Sequence, residues 1–212
     1  MIESLKGKRV LITAGAGGIG LAIARKFLAA GAQVHICDVA AEAVQAAVQA
    51  HAGLSGSVTD VADEAQVLAM FAELAERWGK LDALVNNAGV SGPTSRLEDT
   101  VLAAWQATLD GNLTGTFLCG RSAVTLLGAA GGGAIINISS VAGRLGFSLR
   151  SPYSASKFGL AGLTQTWAME LGPSGIRVNS VLPGVVAGDR VGRIIAARAA
   201  AGGGSNDARR AE

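Results

Sequence analysis

A tyrosine and a lysine stand four positions apart in the segment SPYSASKFGL, and Tyr153 is the only tyrosine of the 212-residue chain. Residues at i and i+4 lie on one face of a helix, and an ammonium beside a phenol favours the phenolate. Tyr153 and Lys157 together can therefore act as general acid and base near neutral pH. The alternative is an ordinary helix start with one solvated lysine, so the rest of the chain must decide.

A strand end with two serines comes just before this pair. The run GAIINISS is predicted as a strand ending at Ser139 and Ser140, and the helix that carries Tyr153 follows it. Successive side chains of a strand point to opposite faces, so only one of the two hydroxyls faces a common pocket. A hydroxyl there can hydrogen-bond the oxygen that Tyr153 protonates. Ser, Tyr and Lys beside a nicotinamide would suit hydride transfer between an alcohol and a ketone.

A glycine-rich turn, TAGAGGIG at Thr13–Gly20, lies between the first predicted strand and the first predicted helix. Glycines there let the backbone turn tightly and approach a pyrophosphate that sits against the helix N-terminus. A plain turn is the alternative, because a glycine-rich turn alone is a weak signal. The strand–turn–helix context favours a dinucleotide site.

Asp38 ends the second predicted strand and strengthens that interpretation. A carboxylate at this place can accept hydrogen bonds from the adenosine ribose diol. The alternative is a cap for the helix that starts at Ala40. No lysine or arginine follows Asp38 at positions 39 and 40, and none occurs in the glycine turn. A 2′-phosphate would therefore find no positive charge to pair with. The sequence therefore predicts NAD rather than NADP.

The elements that must position these residues alternate between strand and helix along the whole chain. Each predicted strand is nearly continuous in apolar residues, which indicates a parallel sheet covered on both faces. We therefore expect an α/β fold: a doubly wound, Rossmann-type parallel sheet with helices on both faces. Ligands of such sheets bind beyond the carboxyl ends of the strands. We expect a single domain over residues 1–200 and a flexible tail over residues 201–212.

Composition and charge exclude several other classes of protein. Half of the residues are hydrophobic and the net charge is +2, with acids and bases interspersed. This gives no basic surface for nucleic acid and no polybasic membrane anchor, and no apolar run of about 18 residues is present to span a bilayer. Cys37 and Cys119 lack metal or CxxC spacing, so two buried thiols are expected and no metal site is predicted. Together with the lack of a signal-peptide core, this favours a cytoplasmic protein.

From about Lys8 to about Arg198 the sequence resembles the short-chain dehydrogenase/reductase family. No single match is specific, but they occur together and in order, each at a predicted strand end or helix. The segments that carry the resemblance are the glycine turn Thr13–Gly20 (family pattern TGxxxGIG), Asp60–Val61, NNAG at Asn86–Gly89, Asn112, Ser140, Tyr153 with Lys157 in YSASK, and Pro183–Gly184.

The resemblance implies an NAD-dependent oxidoreductase that interconverts a secondary alcohol and a ketone, and a homo-oligomer, dimer or tetramer. It implies that Tyr153 transfers the proton, that Ser140 rather than Ser139 orients the carbonyl, and that Lys157 binds the nicotinamide ribose and favours the phenolate. Asn112 would hold a water that links Lys157 to solvent through a helix break. The cofactor contacts it implies are Gly15, Gly17, Gly18, Ile19, Gly20, Asp38, Asp60, Val61, Asn87, Ala88, Gly89, Tyr153, Lys157, Pro183, Gly184 and Val186.

The sequence departs from the family pattern at three places. Ala14 replaces the usual first glycine, which is tolerable if its φ is negative. Gly188 stands where a threonine usually helps to hold the nicotinamide, and Asp189 is a candidate substitute. The chain also ends where relatives add a further strand and helix. Either this chain is a truncated form, or the tail was lost, or a partner covers the sheet edge that would otherwise be exposed. The alternative function is a weak or inactive dinucleotide-binding protein of the same fold.

The segments after the motifs suggest the substrate class. Leu145, Phe147 and Leu149 are apolar and follow the strand that ends at Ser140. They favour a mostly apolar secondary alcohol or ketone of modest size, such as a 3-hydroxyacyl group, a cyclic alcohol or a polyol. The alternative is that these residues only pack the loop.

Overall fold

A computed structural model of the chain describes residues 5–186 and Gly192. The end of the predicted domain after residue 186, apart from Gly192, and the predicted tail at residues 201–212 lie outside the described residues. The departure at Gly188 and its neighbour Asp189 lie outside them as well.

Within the described residues, six strands form one sheet in the order β3-β2-β1-β4-β5-β6, and every neighbouring pair is parallel. The strands are β1 (Arg9–Thr13), β2 (Gln33–Asp38), β3 (Leu54–Val58), β4 (Ala83–Asn86), β5 (Gly133–Ile138) and β6 (Ile176–Val181). The order reverses between β1 and β4, and a crevice opens at such a point beyond the carboxyl ends. The predicted doubly wound fold is confirmed.

Helices connect the strands and cover both faces of the sheet. They are α1 (Gly18–Ala29), α2 (Ala41–Ala50), α3 (Glu64–Trp78), α4 (Leu102–Leu109), α5 (Gly115–Ala129) and α6 (Ser151–Leu171). Short 3-10 segments lie at Val141–Gly143 and Gly172–Ser174.

The hydrophobic core is divided by the sheet into two clusters. In β1, Val10 and Ile12 point into the cluster under α1 and α2, whereas Leu11 points into the cluster under α3 and α5. All three side chains are buried, because alternate residues of a strand face opposite sides and both sides are covered. This is why the strand reads as a continuous apolar run.

The helix ends are set by local sequence chemistry. At the start of α3, Oδ1 of Asp63 accepts from the amides of Ala65 (2.9 Å) and Gln66 (3.2 Å), a cap that contributes about 1 kcal/mol. The same helix ends at Gly79, whose φ of 66° suits glycine. Pro152 occupies the first turn of α6, where its missing N–H costs no helical hydrogen bond.

The interruption predicted between α4 and α5 is present as a π-helical segment, Asp110–Thr114. Such single turns widen the helix and shift the side chains that follow. Gly115, just after it, packs so closely on Val61 that a β-carbon would lie 2.6 Å from Val61 Cγ2. The glycine therefore allows α5 to approach the segment after β3.

Candidate active site

The carboxyl ends of β1 and β4 are held together by Thr13 and Asn87. Oγ1 of Thr13 accepts from the backbone amides of Asn87 (3.0 Å) and Ala88 (2.9 Å). In return, Nδ2 of Asn87 donates to the carbonyl oxygens of Thr13 and Ala14, at 3.0 Å each. The predicted cofactor residues on the two strand ends are thus brought to one edge of the sheet.

The glycines of the turn fall into two pairs with different surroundings. A β-carbon on Gly15 would lie 2.5 Å from Ile36 Cγ2, and one on Gly20 would lie 2.2 Å from the carbonyl oxygen of Ala14. In contrast, β-carbons on Gly17 and Gly18 would meet no atom within 4 Å. The first pair is required by packing, and the second leaves open space at the N-terminus of α1.

That open space fits a dinucleotide pyrophosphate. The first amides of α1 point toward it with the positive end of the helix dipole, and no side chain fills it at Gly17 or Gly18. Ile19, the next predicted contact, is 37% exposed on the same turn. The residues present therefore fit the phosphates of a dinucleotide cofactor.

We expected alanine to replace the usual glycine at position 14 only if its φ were negative, and this expectation is wrong. Its φ is 47°, in the left-handed region, where the expectation required a negative value. A β-carbon there crowds the backbone. The conformation is held by its neighbours, since the Ala14 carbonyl accepts from Asn87 and lies against Gly20.

Asp38 lies at the end of β2, beside the glycine turn. Its Oδ2 accepts from the amide of Ala16 at 3.4 Å, and its Oδ1 accepts from the amide of Ala40 at 3.2 Å. The cap position of α2 belongs to Ala40 rather than to Asp38. The carboxylate is partly exposed and adjoins the turn at which a cofactor ribose would be expected.

The pair after β3 divides into one exposed and one buried residue. Asp60 is exposed, and its Oδ1 accepts from the amide of Ala62 at 2.9 Å. Val61 is buried against Gly115. Their predicted contact with adenine stays a prediction.

Tyr153 and Lys157 lie on one face of α6, as their spacing predicts. Lys157 Nζ is 5.8 Å from the centroid of the Tyr153 ring and donates to the carbonyl oxygen of Ile138 at 2.9 Å. The Lys157 side chain is only 3% exposed, whereas Tyr153 is partly exposed. A β-carbon on Gly89 would lie 3.5 Å from Lys157 Nζ, so the loop after β4 passes close to the ammonium.

Asn112 is fully buried in the π-helical segment and joins that segment to two other parts of the site. Its Oδ1 accepts from the amide of Val90 at 2.6 Å, and its Nδ2 donates to the Val90 carbonyl (3.0 Å) and to Ser156 Oγ (2.9 Å). Ser156 in turn donates to the backbone carbonyl of Tyr153 at 2.7 Å. Ser156 was not singled out from the sequence, although it is the second of the two serines in the YSASK segment.

The two serines after β5 face different ways. Ser139 is buried, and its hydroxyl donates to the carbonyl oxygen of Lys157 at 3.2 Å. Ser140 is partly exposed, and its hydroxyl accepts from the amide of Ala142 at 3.2 Å. The alternation predicted for this strand end is therefore present, and Ser140 is the more accessible of the two.

The last predicted cofactor residues follow β6. The Pro183 carbonyl accepts from the amide of Val141 at 3.1 Å, which places this turn beside the loop after β5. A β-carbon on Gly184 would meet open space, and Val186 is 44% exposed.

Arg150 lies directly before α6 and is not among the catalytic or cofactor-binding residues predicted from the sequence. Its guanidinium carbon is 5.1 Å from the centroid of the Tyr153 ring. The sequence does contain a hint of its importance, because Arg150 is a charged residue three positions before Tyr153 in a segment of small and apolar residues.

His35 and the two cysteines are fully buried side chains. His35 hydrogen-bonds Ser55 (2.9 Å) and Ser57 (3.2 Å), and burial lowers its pKa to about 4. Cys37 and Cys119 are both buried, as predicted, and burial raises the pKa of Cys37 to about 12. Among residues 5–186, no group of three metal-binding side chains is found, and no helix in that part of the chain is both long and apolar enough to cross a membrane.

Comparison with known proteins agrees with this geometry. The family model described as short chain dehydrogenase matches residues 8–199. The chain is 43% identical over 188 residues to the cis-4-hydroxycyclohexanecarboxylate dehydrogenase of Sinomonas cyclohexanicum, a match that covers 87% of this chain and 75% of that protein. It is 43% identical over 194 residues to the 3-alpha-(or 20-beta)-hydroxysteroid dehydrogenase of Mycobacterium tuberculosis, with 88% of this chain and 72% of that protein covered.

Solved structures give the same result. Levodione reductase superposes with a TM-score of 0.86 at 35% identity, covering 91% of this chain and 77% of that one. An NAD+-bound xylitol dehydrogenase superposes with a TM-score of 0.90 at 30% identity, covering 94% of this chain and 79% of that one. The chain belongs to the short-chain dehydrogenase family. Membership implies a nicotinamide dinucleotide cofactor, a small-molecule substrate and oxidoreduction between hydroxyl and ketone groups.

Proposed function

We propose that this chain is an NAD-dependent oxidoreductase that interconverts a secondary alcohol and a ketone, with Tyr153 as general acid and base. The observation that carries the proposal is the placement of Lys157. Its buried ammonium lies 5.8 Å from the Tyr153 ring and 2.9 Å from the carbonyl oxygen of Ile138, at the carboxyl end of β5. The phenol and the ammonium are thereby brought together at the edge of the sheet where ligands of such folds bind.

The chain's own residues then have distinct parts in the reaction. In oxidation, the phenolate oxygen of Tyr153 accepts the hydroxyl proton of the alcohol; in reduction, it returns that proton to the carbonyl oxygen. The partly exposed hydroxyl of Ser140 donates a hydrogen bond to the same substrate oxygen. When bound, a nicotinamide accepts or supplies the hydride of the carbinol carbon.

Lys157 and Asn112 support this chemistry from inside the fold. The Lys157 ammonium, which lies close to the loop that contains Gly89, would bind the nicotinamide ribose. The Asn112 carbonyl accepts from Thr116 Oγ1 at 2.9 Å. The water that would connect Lys157 to solvent would be a second donor to this carbonyl, which has two lone pairs.

The choice of NAD rests on Asp38. Its carboxylate is held toward the glycine turn by the amides of Ala16 and Ala40. It can accept from both ribose hydroxyls, whereas a 2′-phosphate would bring a second negative charge close to it. The NAD+-bound state of the xylitol dehydrogenase relative agrees with this choice.

The substrate we propose is a mostly apolar secondary alcohol of modest size, with a cyclic alcohol as the first choice. Leu145 is 65% exposed and Phe147 is 38% exposed, so the loop after β5 presents apolar surface beside Ser140. The relatives named above act, by their names, on a hydroxycyclohexanecarboxylate, whose hydroxyl is on a ring, and on a 3-alpha- or 20-beta-hydroxysteroid. A cytoplasmic location and a homo-oligomer, dimer or tetramer, stay predictions.

The test is a panel of cyclic and acyclic secondary alcohols assayed with NAD and with NADP by the growth of reduced-nicotinamide absorbance. We expect turnover of ring alcohols with NAD and at least about tenfold lower kcat/KM with NADP, equivalent to about 1.4 kcal/mol. Calorimetry with NADH runs in parallel. Tight NADH binding without turnover of any alcohol would instead support the inactive dinucleotide-binding alternative.

A further inference from the structure

Arg150 is a cation in an unfavourable place. Its side chain is 2% exposed, although burial of a charge costs free energy unless the charge is hydrogen-bonded. It is also the residue directly before α6, where the positive end of the helix dipole disfavours a cation. Local preference does not explain an arginine here, so the explanation lies in its contacts.

The guanidinium is bonded to the loop at residues 91–95, which follows β4. Its NH2 donates to the carbonyl oxygen of Ser91 at 2.6 Å, and its NH1 donates to Thr94 Oγ1 at 3.2 Å. The backbone adds a parallel link, since the amide of Ser95 donates to the carbonyl oxygen of Leu149 at 3.1 Å. The 91–95 loop is therefore fastened to the start of α6 at three points.

The backbone just before Arg150 is strained. Leu149 has a φ of 64°, a left-handed conformation that costs about 1–3 kcal/mol for a residue with a side chain. Such a conformation persists only where its surroundings determine it. The hydrogen bond from Ser95 and the burial of Arg150 hold it from both sides.

The same guanidinium lies against the ring of Tyr153, with its carbon 5.1 Å from the ring centroid. A planar guanidinium stacks on aromatic faces and presents a rigid fork of donors, which the flexible ammonium of lysine does not reproduce. The guanidinium is too buried to bind the substrate itself. It contacts the reacting side chain and the loop on the other side of the site at once.

We propose that Arg150 is a positioning residue of this site: its buried guanidinium clamps the 91–95 loop to the start of α6 and holds the Tyr153 ring in the orientation that proton transfer requires. The importance of this orientation for turnover rests on the function proposed above. The clamp itself rests on the contacts of Arg150 alone.

The test compares Arg150→Lys with Arg96→Lys. Both changes keep the charge and remove the fork, but Arg96 is an exposed residue paired with Glu98. We expect R150K to lower kcat about 100-fold, as for a small misplacement of a reacting group, with NADH affinity within about threefold of wild type because the glycine turn is untouched. The primary deuterium isotope effect on kcat should rise as chemistry becomes limiting. R96K should match wild type in all three.

A second readout needs no substrate. Because the chain has one tyrosine, 3-fluorotyrosine labelling reports on the Tyr153 ring alone. We expect a single narrow fluorine line in wild type and R96K, and a broadened or divided line in R150K. If R150K does not fold, Thr94→Val takes its place, since it removes one acceptor of the guanidinium. We expect it to broaden or divide the fluorine line and to lower kcat, as for R150K.

The outcomes separate the two proposals. Wild-type kcat together with a single narrow line in R150K would overturn the clamp. A wild-type chain that transfers no hydride would overturn the proposed function alone, and the fluorine line would then decide the clamp by itself.

Discussion

Thr13 and Asn87 hydrogen-bond each other in both directions: Thr13 Oγ1 accepts from the backbone amide of Asn87 at 3.0 Å, and Asn87 Nδ2 donates to the Thr13 carbonyl at 3.0 Å. These bonds join the ends of β1 and β4 where the strand order reverses. In such sheets a dinucleotide binds in the crevice at this point, so these hydrogen bonds lie at the base of the predicted cofactor site.

The Thr13 hydroxyl should matter for stability. Thr13→Val would leave the amides of Asn87 and Ala88 without their acceptor, and we expect a loss of about 1–3 kcal/mol in the free energy of unfolding for each amide that stays unsatisfied. Thr13→Ser keeps the oxygen and is the matched control, with a smaller loss of about 1 kcal/mol for the buried methyl group. Urea unfolding measures both. Equal stability of the two variants would show that the hydroxyl carries no such role.

Two glycines of the turn should respond in opposite ways to the same substitution. Gly20→Ala should destabilise the fold, because its methyl group would lie 2.2 Å from the Ala14 carbonyl oxygen. Gly17→Ala should fold normally, because its methyl group meets no protein atom within 4 Å, but should weaken NADH binding at least about tenfold by occupying the pyrophosphate space. Thermal melts and NADH titrations test the pair. Unchanged NADH affinity in G17A would place the phosphates elsewhere.

The left-handed Ala14 offers a stabilising change. Ala14→Gly removes the clash of a β-carbon at a φ of 47° and should raise the free energy of unfolding by about 1 kcal/mol, or Tm by about 2–4 °C. Ala46→Gly, at an exposed position of α2, should do the reverse by about 1 kcal/mol. A lower melting temperature in A14G would contradict the strain assigned to Ala14.

His35 should make the fold sensitive to mild acid. Burial lowers its pKa from 6.5 to about 4, so between these values the unfolded chain binds the proton more readily than the folded one. The contribution is fully present above about pH 6.5 and is lost as the pH falls toward 4, with about 2 kcal/mol gone by pH 5.

His35→Gln provides the control for that loss, since glutamine does not titrate. The difference between urea unfolding at pH 7 and at pH 5 should be smaller in H35Q than in wild type. An identical pH dependence in the two proteins would contradict the assignment to His35.

Much of the fold follows from local patterns. The continuous apolar run of β1 predicts a strand covered on both faces, and Asp63 and Gly79 predict the ends of α3 by their capping chemistry. The same holds for the pairing of Tyr153 with Lys157 on α6, since only helical periodicity is needed.

What could not be predicted depends on contacts between distant segments. The φ of Ala14 is determined by Asn87 and Gly20, which approach it from other elements. The clamp at Arg150 needs the loop after β4 to pass the start of α6, and no local pattern carries that information. The role of Ser156 likewise depends on its hydrogen bond with Asn112, which lies in the distant π-helical segment.

The central claim is that Tyr153 moves the proton, and Tyr153→Phe tests it most directly because the ring is kept and only the hydroxyl is lost. Single-turnover hydride transfer with a ring alcohol that wild type oxidises should slow by about 100-fold to 10,000-fold, the range of general acid–base catalysis. NADH affinity should stay near wild type. Hydride transfer at the wild-type rate in Y153F, with the fold intact, would contradict the account.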